Sequence, residues 1–198
     1  MKKPSAYVFI GRSGCGKGTQ VELFINYLNE NDKDCKTIEV ESGDLLRGYA
    51  KGESFSQNKC REIMGRGGLI PEFMVIGLWA NKLMAELTGC ENIVCDGAPR
   101  KINEAKVLDS AITFYDFEKP TVLFIDVSKA WSMKHLLARK RADDTEKDIE
   151  NRLGWFDTDV APVLDYYRAN PTYNFLTING EQTIDDVHKE IMQKLGYK

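Results

Sequence analysis

Apolar positions along the chain follow two rhythms. Short, nearly continuous runs at Tyr7–Ile10, Asn92–Cys95 and Thr121–Val127 read as strands buried on both faces, with shorter strands at Thr37–Val40 and Phe175–Ile178. Between them, apolar residues recur at helical spacing: Val21, Phe24, Ile25 and Leu28; Val75, Trp79, Leu83 and Leu87; Ile184, Val187, Ile191 and Leu195. Further helices are expected from Ile102 to Tyr115 and from Thr145 to Tyr167. The polar residues supply the punctuation. Ser42-Gly43-Asp44, Ser128 and Thr183 read as helix caps, Pro71 as the opening of a helix and Gly89 as its end. Strands alternating with helices predict an α/β fold, a five-stranded parallel sheet with helices on both faces. Only 48–72 breaks the rhythm. Gly48, Gly52, Gly65, Gly67, Gly68 and Pro71 cut it into short helical pieces, which predicts a small helical lobe or, more plainly, a surface excursion.

Composition narrows the class. A length of 198 residues suits one domain, and a net charge of −3 argues against nucleic acid as the main partner. No apolar run approaches the ~20 residues that span a bilayer. Lys2 and Lys3 precede too short an apolar run for a signal segment, so the expectation is a cytoplasmic protein read from Met1. The five cysteines, Cys15, Cys35, Cys60, Cys90 and Cys95, are odd in number and lack C-x-x-C spacing. They predict buried thiols in a reducing compartment rather than a disulfide framework or a zinc site.

The stretch carrying the most chemistry is Gly11-Arg12-Ser13-Gly14-Cys15-Gly16-Lys17-Gly18-Thr19-Gln20, which joins the first strand to the first helix. Glycines let backbone N–H groups converge on an anion, and the helix N-terminus adds unpaired donors and partial positive charge. Lys17 supplies a mobile ammonium for outer phosphates, and the Thr19 hydroxyl can help place Mg²⁺. The match to G-x-x-x-x-G-K-[ST] is incomplete, because Gly18 follows Lys17 and the hydroxyl comes one residue later. The competing reading is a glycine-rich turn without a ligand. Cys15, beside a helix N-terminus, is a thiol whose alkylation is expected to block nucleotide binding.

Two further turns follow predicted strands and belong on the same sheet edge: Asp96-Gly97-Ala98-Pro99-Arg100, and the segment after Asp126 leading to a basic patch at Lys134, His135, Arg139, Lys140 and Arg141. Together with Arg141-Ala142-Asp143-Asp144, Arg152, Ser42-Gly43-Asp44-Leu45-Leu46-Arg47 and Gly68-Leu69-Ile70-Pro71, the ordered set resembles the adenylate kinase family of nucleoside monophosphate kinases from Tyr7 to Leu195.

The resemblance implies a P-loop NTPase-type sheet with a core at about 1–41, 73–134 and 145–198, a monophosphate-binding lobe at about 42–72 and a vestigial lid at about 135–144. It implies reversible phosphoryl transfer from Mg-ATP to AMP, giving two ADP. The acceptor phosphate is already a nucleophile, so positioning and charge stabilisation suffice. Lys17, Arg100, Arg141 and Arg152 would be catalytic. Gly14, Cys15, Gly16, Lys17, Gly18, Thr19, His135 and Arg139 would hold ATP. Ser42, Arg47, Gly97, Arg100 and Glu104 would hold the monophosphate. Asp96, with Thr19, would anchor Mg²⁺ mostly through water, and Asp143 and Asp144 would orient the arginines, whose planar forks suit phosphate. The bland alternative for the arginines is a solvated basic face.

Several positions depart from the family pattern. Only Lys140 separates Arg139 from Arg141, where relatives carry a lid, and zinc cysteines are missing, so no structural zinc is expected and donor choice should be relaxed. His135 stands where an arginine is usual near the donor base; it could stack on a base or face solvent. Glu104 stands where adenylate-specific members carry glutamine. A carboxylate can only accept, at a cost of ~1–3 kcal/mol against adenine, whereas against guanine it could accept twice. It could instead pair with Arg100 one turn earlier, or with solvent. The rivals are therefore a kinase for GMP or for CMP/UMP, a non-catalytic nucleotide-sensing domain, and a plain ATPase. Expected partners are small nucleotides, with no nucleic acid or membrane, in a monomer or small homo-oligomer.

Overall fold

The computed structural model describes residues 4–31, 33, 35–139 and 146–197, with the side chains of 139 and 146–148 excepted. Five strands, β1 (Ser5–Gly11), β2 (Thr37–Glu41), β3 (Asn92–Asp96), β4 (Glu118–Asp126) and β5 (Asn174–Asn179), form one sheet in the order β2-β3-β1-β4-β5. All four pairings are parallel. The connection from β1 runs to one side of the sheet and that from β3 crosses to the other, which opens a crevice at the carboxyl ends of the central strands.

The continuous apolar runs are explained by the two faces. Tyr7 and Phe9 of β1 with Leu123 and Ile125 of β4 point to one core, where Val21, Phe24 and Leu28 of α1 (Lys17–Asn31) meet Val187 and Ile191 of α9 (Ile184–Leu195). Val8 and Ile10 of β1 with Val122 and Phe124 of β4 point to the other. There they pack with Trp79 and Leu83 of α4 (Glu72–Glu86), Leu108 and Ile112 of α5 (Ile102–Phe114), and Tyr167 of α8 (Ala161–Ala169). Alternation along β1 and β4 thus feeds two apolar layers.

The irregular stretch becomes two helices, α2 (Ser42–Tyr49) and α3 (Phe55–Gly65), the latter opened by a reciprocal Ser54/Gln57 capping box. Helix α6 (Lys129–Arg139) and α7 (Glu146–Trp155) are tied by a small cluster of Leu136, Ile149 and Leu153.

Most expected elements are present, and the departures have physical reasons. The helix expected to run unbroken to Tyr167 instead widens into a π-helical turn at Phe156–Val160 before α8. Pro162 stands in the first turn of α8, lacks an N–H and would crowd the carbonyl one turn back in a regular helix. Ser128 and Thr183 do cap, accepting from Trp131 N and Asp186 N. Ser42 does not: it is the first residue of α2, and its hydroxyl is turned into the protein. Ile184 is exposed rather than part of the buried face of α9, which Val187, Ile191 and Met192 supply. The cysteine expectation is corrected as well. Cys60 and Cys95 are buried thiols, but Cys35 and Cys90 are joined in a disulfide. They sit in the loops entering β2 and β3, so the sheet's parallel register brings together two residues that sequence spacing could not pair.

Candidate active site

The loop after β1 turns into α1 with Gly14 at φ +83° and Gly16 at φ +88°, conformations that favour glycine. Lys17 folds back over this loop. Its Nζ donates to Gly11 O at 3.0 Å and Arg12 O at 3.3 Å, so a cation hangs over a concave stretch of backbone. Cys15 lies in the loop, two residues before α1. Its side chain is buried in the core beneath the loop and its N–H donates to Arg12 O at 3.1 Å, so the thiol packs and the amide serves the loop's own turn. The Cys15 Sγ lies 3.6 Å from Lys17 Nζ, so the thiol sits beneath the loop beside the cation.

At the end of β3, Gly97 takes φ +72°, and a Cβ there would meet Ser42 Oγ at 3.1 Å and Arg100 Nη2 at 3.2 Å. Its carbonyl accepts from both Ser42 Oγ and Arg100 Nε, each at 2.8 Å. This one peptide fixes α2, the turn and the arginine relative to one another. Burial lowers the affinity of the Arg100 guanidinium for its proton, while Glu104, Asp96 and Glu41 oppose that effect and Arg152 adds to it as a like charge. Arg100 and Arg152 are thus near enough to feel each other, an arrangement that an incoming polyanion would relieve.

Glu104 is buried, and its Oε2 accepts from Arg100 N at 2.8 Å. Burial pushes its carboxyl up, and the Arg100 N–H and guanidinium pull it back down in part. Glu104 thus meets Arg100 through the backbone N–H of the turn before α5, while the Arg100 side chain bonds Gly97 O. Arg47 of α2 donates to Glu41 at 3.1 Å and also bonds Asp44. His135 stacks on Trp131 with ring centroids 4.4 Å apart and bonds Trp131 O through Nδ1.

These groups face one cleft of about 850 Å³. Gly14, Gly16, Lys17, Gly18, Thr19 and His135 line it together with Ser42, Arg47, Gly97, Arg100 and Glu104, and with Asp96 and Arg152. Asp96 Oδ2 lies 3.7 Å from where a Cβ on Gly18 would stand, so a carboxylate faces the start of α1, and Asp96 and Thr19 both line the cleft. Among the described residues no cluster of three or more His, Cys, Asp or Glu side chains could hold a metal ion by itself. The side chain of Arg139 and all of Arg141, Asp143 and Asp144 lie outside the described residues.

Sequence reasoning missed the acidic wall. Glu39 and Glu41 on β2 also line the cleft. Glu41 is pushed up to about 7, first by burial and then by its hydrogen bond with Asp44, with Arg47 pulling the other way. The signal was present as Glu39 and Glu41 alternating with Ile38 and Val40, a strand with one apolar and one polar face.

Comparison with known proteins agrees with this geometry. The family model described as adenylate kinase matches residues 9–172. An adenylate kinase of Leptospira biflexa serovar Patoc is 29% identical over 192 residues, covering 95% of this chain and 98% of that protein. One of Prochlorococcus marinus (strain NATL1A) is 32% identical over 189 residues, covering 96% and 97%. Adenylate kinase isoenzyme 1 of Caenorhabditis elegans is 31% identical over 194 residues, covering 96% and 86%. A phosphate-type loop, a basic turn lining the same cleft, and a match over most of the chain converge on one conclusion: this protein belongs to the adenylate kinase family.

Proposed function

We propose that this chain is an adenylate kinase, catalysing reversible Mg²⁺-dependent transfer of the γ-phosphoryl group of ATP to AMP. The observation that carries the reading is that Lys17 and the loop glycines line the same cleft as Arg47 and Arg100, because phosphoryl transfer needs two anions brought end to end. Lys17 and the amides around Gly14 to Thr19 hold the donor phosphates. Arg47 leaves its carboxylates for the acceptor phosphate, and Arg100 grips it from the turn after β3. Arg152, with Arg139 and Arg141, stabilises charge on the migrating group, oriented by Asp143 and Asp144. His135, stacked on Trp131, extends an aromatic surface for the donor base.

Thr19 and Asp96 fit a magnesium ion that keeps most of its waters, since they offer one hydroxyl and one carboxylate rather than a protein cage. When bound, Mg²⁺ neutralises phosphate charge; the chain's own part is to hold these two oxygens beside the phosphate loop. Residues 42–72 form the lobe that closes on the monophosphate against the core at 1–41, 73–134 and 145–198, with 135–144 as a minimal lid. No helix among the described residues is long and apolar enough to cross a membrane. The reading keeps a cytoplasmic location, where the Cys35–Cys90 bond would be exposed to reductants.

Initial rates with Mg-ATP against AMP, GMP, CMP and UMP test the proposal, with Arg100→Ala as control. AMP is expected to be the preferred acceptor and the control to lose activity. Preference for GMP would make Glu104 a guanine reader and overturn the acceptor; no product with any monophosphate would overturn the reaction. GTP and CTP should replace ATP as donors with modest loss, given so short a lid.

A further inference from the structure

Arg12 sits inside the phosphate loop yet has no part in the reading above. Its main chain belongs to the loop: its carbonyl accepts from Lys17 Nζ and from Cys15 N. Its side chain leaves the loop altogether. The guanidinium lies 3.9 Å from the centroid of the Phe156 ring, and Nη2 donates to Asp157 Oδ1 at 2.9 Å. Phe156 and Asp157 open the π-helical turn that directly continues α7, the helix carrying Arg152. Phe156 in turn stacks on Phe124 of β4, with centroids 6.2 Å apart and planes at 20°, so the far end of the contact is anchored in the sheet.

The two contacts do different work. An ion pair to a carboxylate as exposed as Asp157, at 62%, is screened and weakly directional. The stack on Phe156 is shielded, since the Arg12 side chain is only 18% exposed, and it fixes the plane of the guanidinium. A lysine would keep the charge and lose the plane.

We propose that Arg12 is a positioning residue that braces the Arg152 helix against the phosphate loop, so that Lys17 and Arg152 address the same phosphoryl group from fixed directions. The inference rests on the adenylate kinase reading for its catalytic consequence, but not for its effect on nucleotide binding. The brace acts through Arg152, so its loss matters only while Arg152 is present. The π-helical turn supports this: it is where α7 departs from regular geometry, and Arg12 covers its first two residues.

The test is a double-mutant cycle of Arg12→Ala and Arg152→Ala, with Arg12→Lys and Asp157→Ala alongside. Two readouts are taken: Mg-ATP affinity by calorimetry, and kcat with KM for AMP. The brace predicts that Arg12→Ala weakens Mg-ATP and lowers kcat by about tenfold each with KM for AMP unchanged, and that it does so less than twofold in the Arg152→Ala background. Arg12→Lys should recover little, and Asp157→Ala should reproduce the Arg12→Ala loss in weaker form. Equal losses in both backgrounds would overturn the proposal, because Arg12 would then act without Arg152. A loss on Arg12→Ala with tighter Mg-ATP binding on Asp157→Ala would also overturn it, since that pattern belongs to an arginine that contacts phosphate itself. If the wild-type protein phosphorylates no monophosphate, the kinase reading fails, and the calorimetric cycle still decides on the brace.

Discussion

Glu104→Gln puts the acceptor assignment under direct strain. The Glu104 carboxyl is 2% exposed, and one oxygen already accepts from Arg100 N at 2.8 Å, leaving the other to meet a base. An amide would keep its oxygen on that N–H and turn its NH₂ toward adenine N1, whereas an ionised carboxylate presents a lone pair to a lone pair. A buried acceptor left without a donor costs ~1–3 kcal/mol, or about 5- to 150-fold. The substitution should therefore raise kcat/KM for AMP within that range, less a small loss from exchanging a charge-assisted hydrogen bond for a neutral one.

The same geometry gives a pH dependence. Burial raises the Glu104 carboxyl above its ordinary value, so as pH falls the protein gains a neutral form whose O–H can donate to N1. The advantage of Glu104→Gln over wild type should therefore shrink as pH falls toward that raised value and be full well above it. Titration of the AMP phosphate is common to both proteins and cancels in the ratio. The assay is kcat/KM for AMP in both proteins at several pH values with saturating Mg-ATP. A ratio near one at every pH would refute the reasoning and leave Glu104 as a partner of the Arg100 N–H that never meets the base.

Two further outcomes follow from contacts the sequence did not reveal. Glu41→Gln removes one of the two carboxylates that compete with the acceptor phosphate for Arg47, a partly exposed pair of the kind that contributes ~0–1 kcal/mol, so KM for AMP should fall by up to about fivefold with KM for ATP unchanged; a raised KM for AMP would show Glu41 to be holding Arg47 in its working position. Reducing Cys35–Cys90 reopens a span of 55 residues, for which loop entropy gives up to about 4 kcal/mol and roughly 8–16 °C in Tm. Thermal melts with and without reductant, with Cys35→Ala as control, should show a drop in wild type alone, and an unchanged Tm would dismiss the bond as a stabilising link.

What could be read before folding was whatever the chain writes locally. The apolar runs of β1 and β4, the caps at Ser128 and Thr183, and the loop around Lys17 each depend on neighbours a few residues away, and each is where it was expected. What escaped depends on residues brought together by the sheet. Ser42 looks like a cap in sequence and becomes a donor to Gly97 O because β2 and β3 are paired in parallel. Cys35 and Cys90 meet for the same reason. Arg12 meets Asp157 across 145 positions, and no local pattern announces it. The π-helical turn was not read: Pro162 lay inside the expected helix, and whether that helix would stop, kink or widen depended on what Phe156 could pack against.

The claim that two nucleotide sites share one cleft and exchange a phosphoryl group is tested most directly by supplying ADP and Mg²⁺ alone and resolving the nucleotides over time. The account predicts ATP and AMP rising together in equal amounts, with no inorganic phosphate, and neither appearing with Arg100→Ala. Release of phosphate and AMP without ATP, or no change in ADP at all, would contradict it.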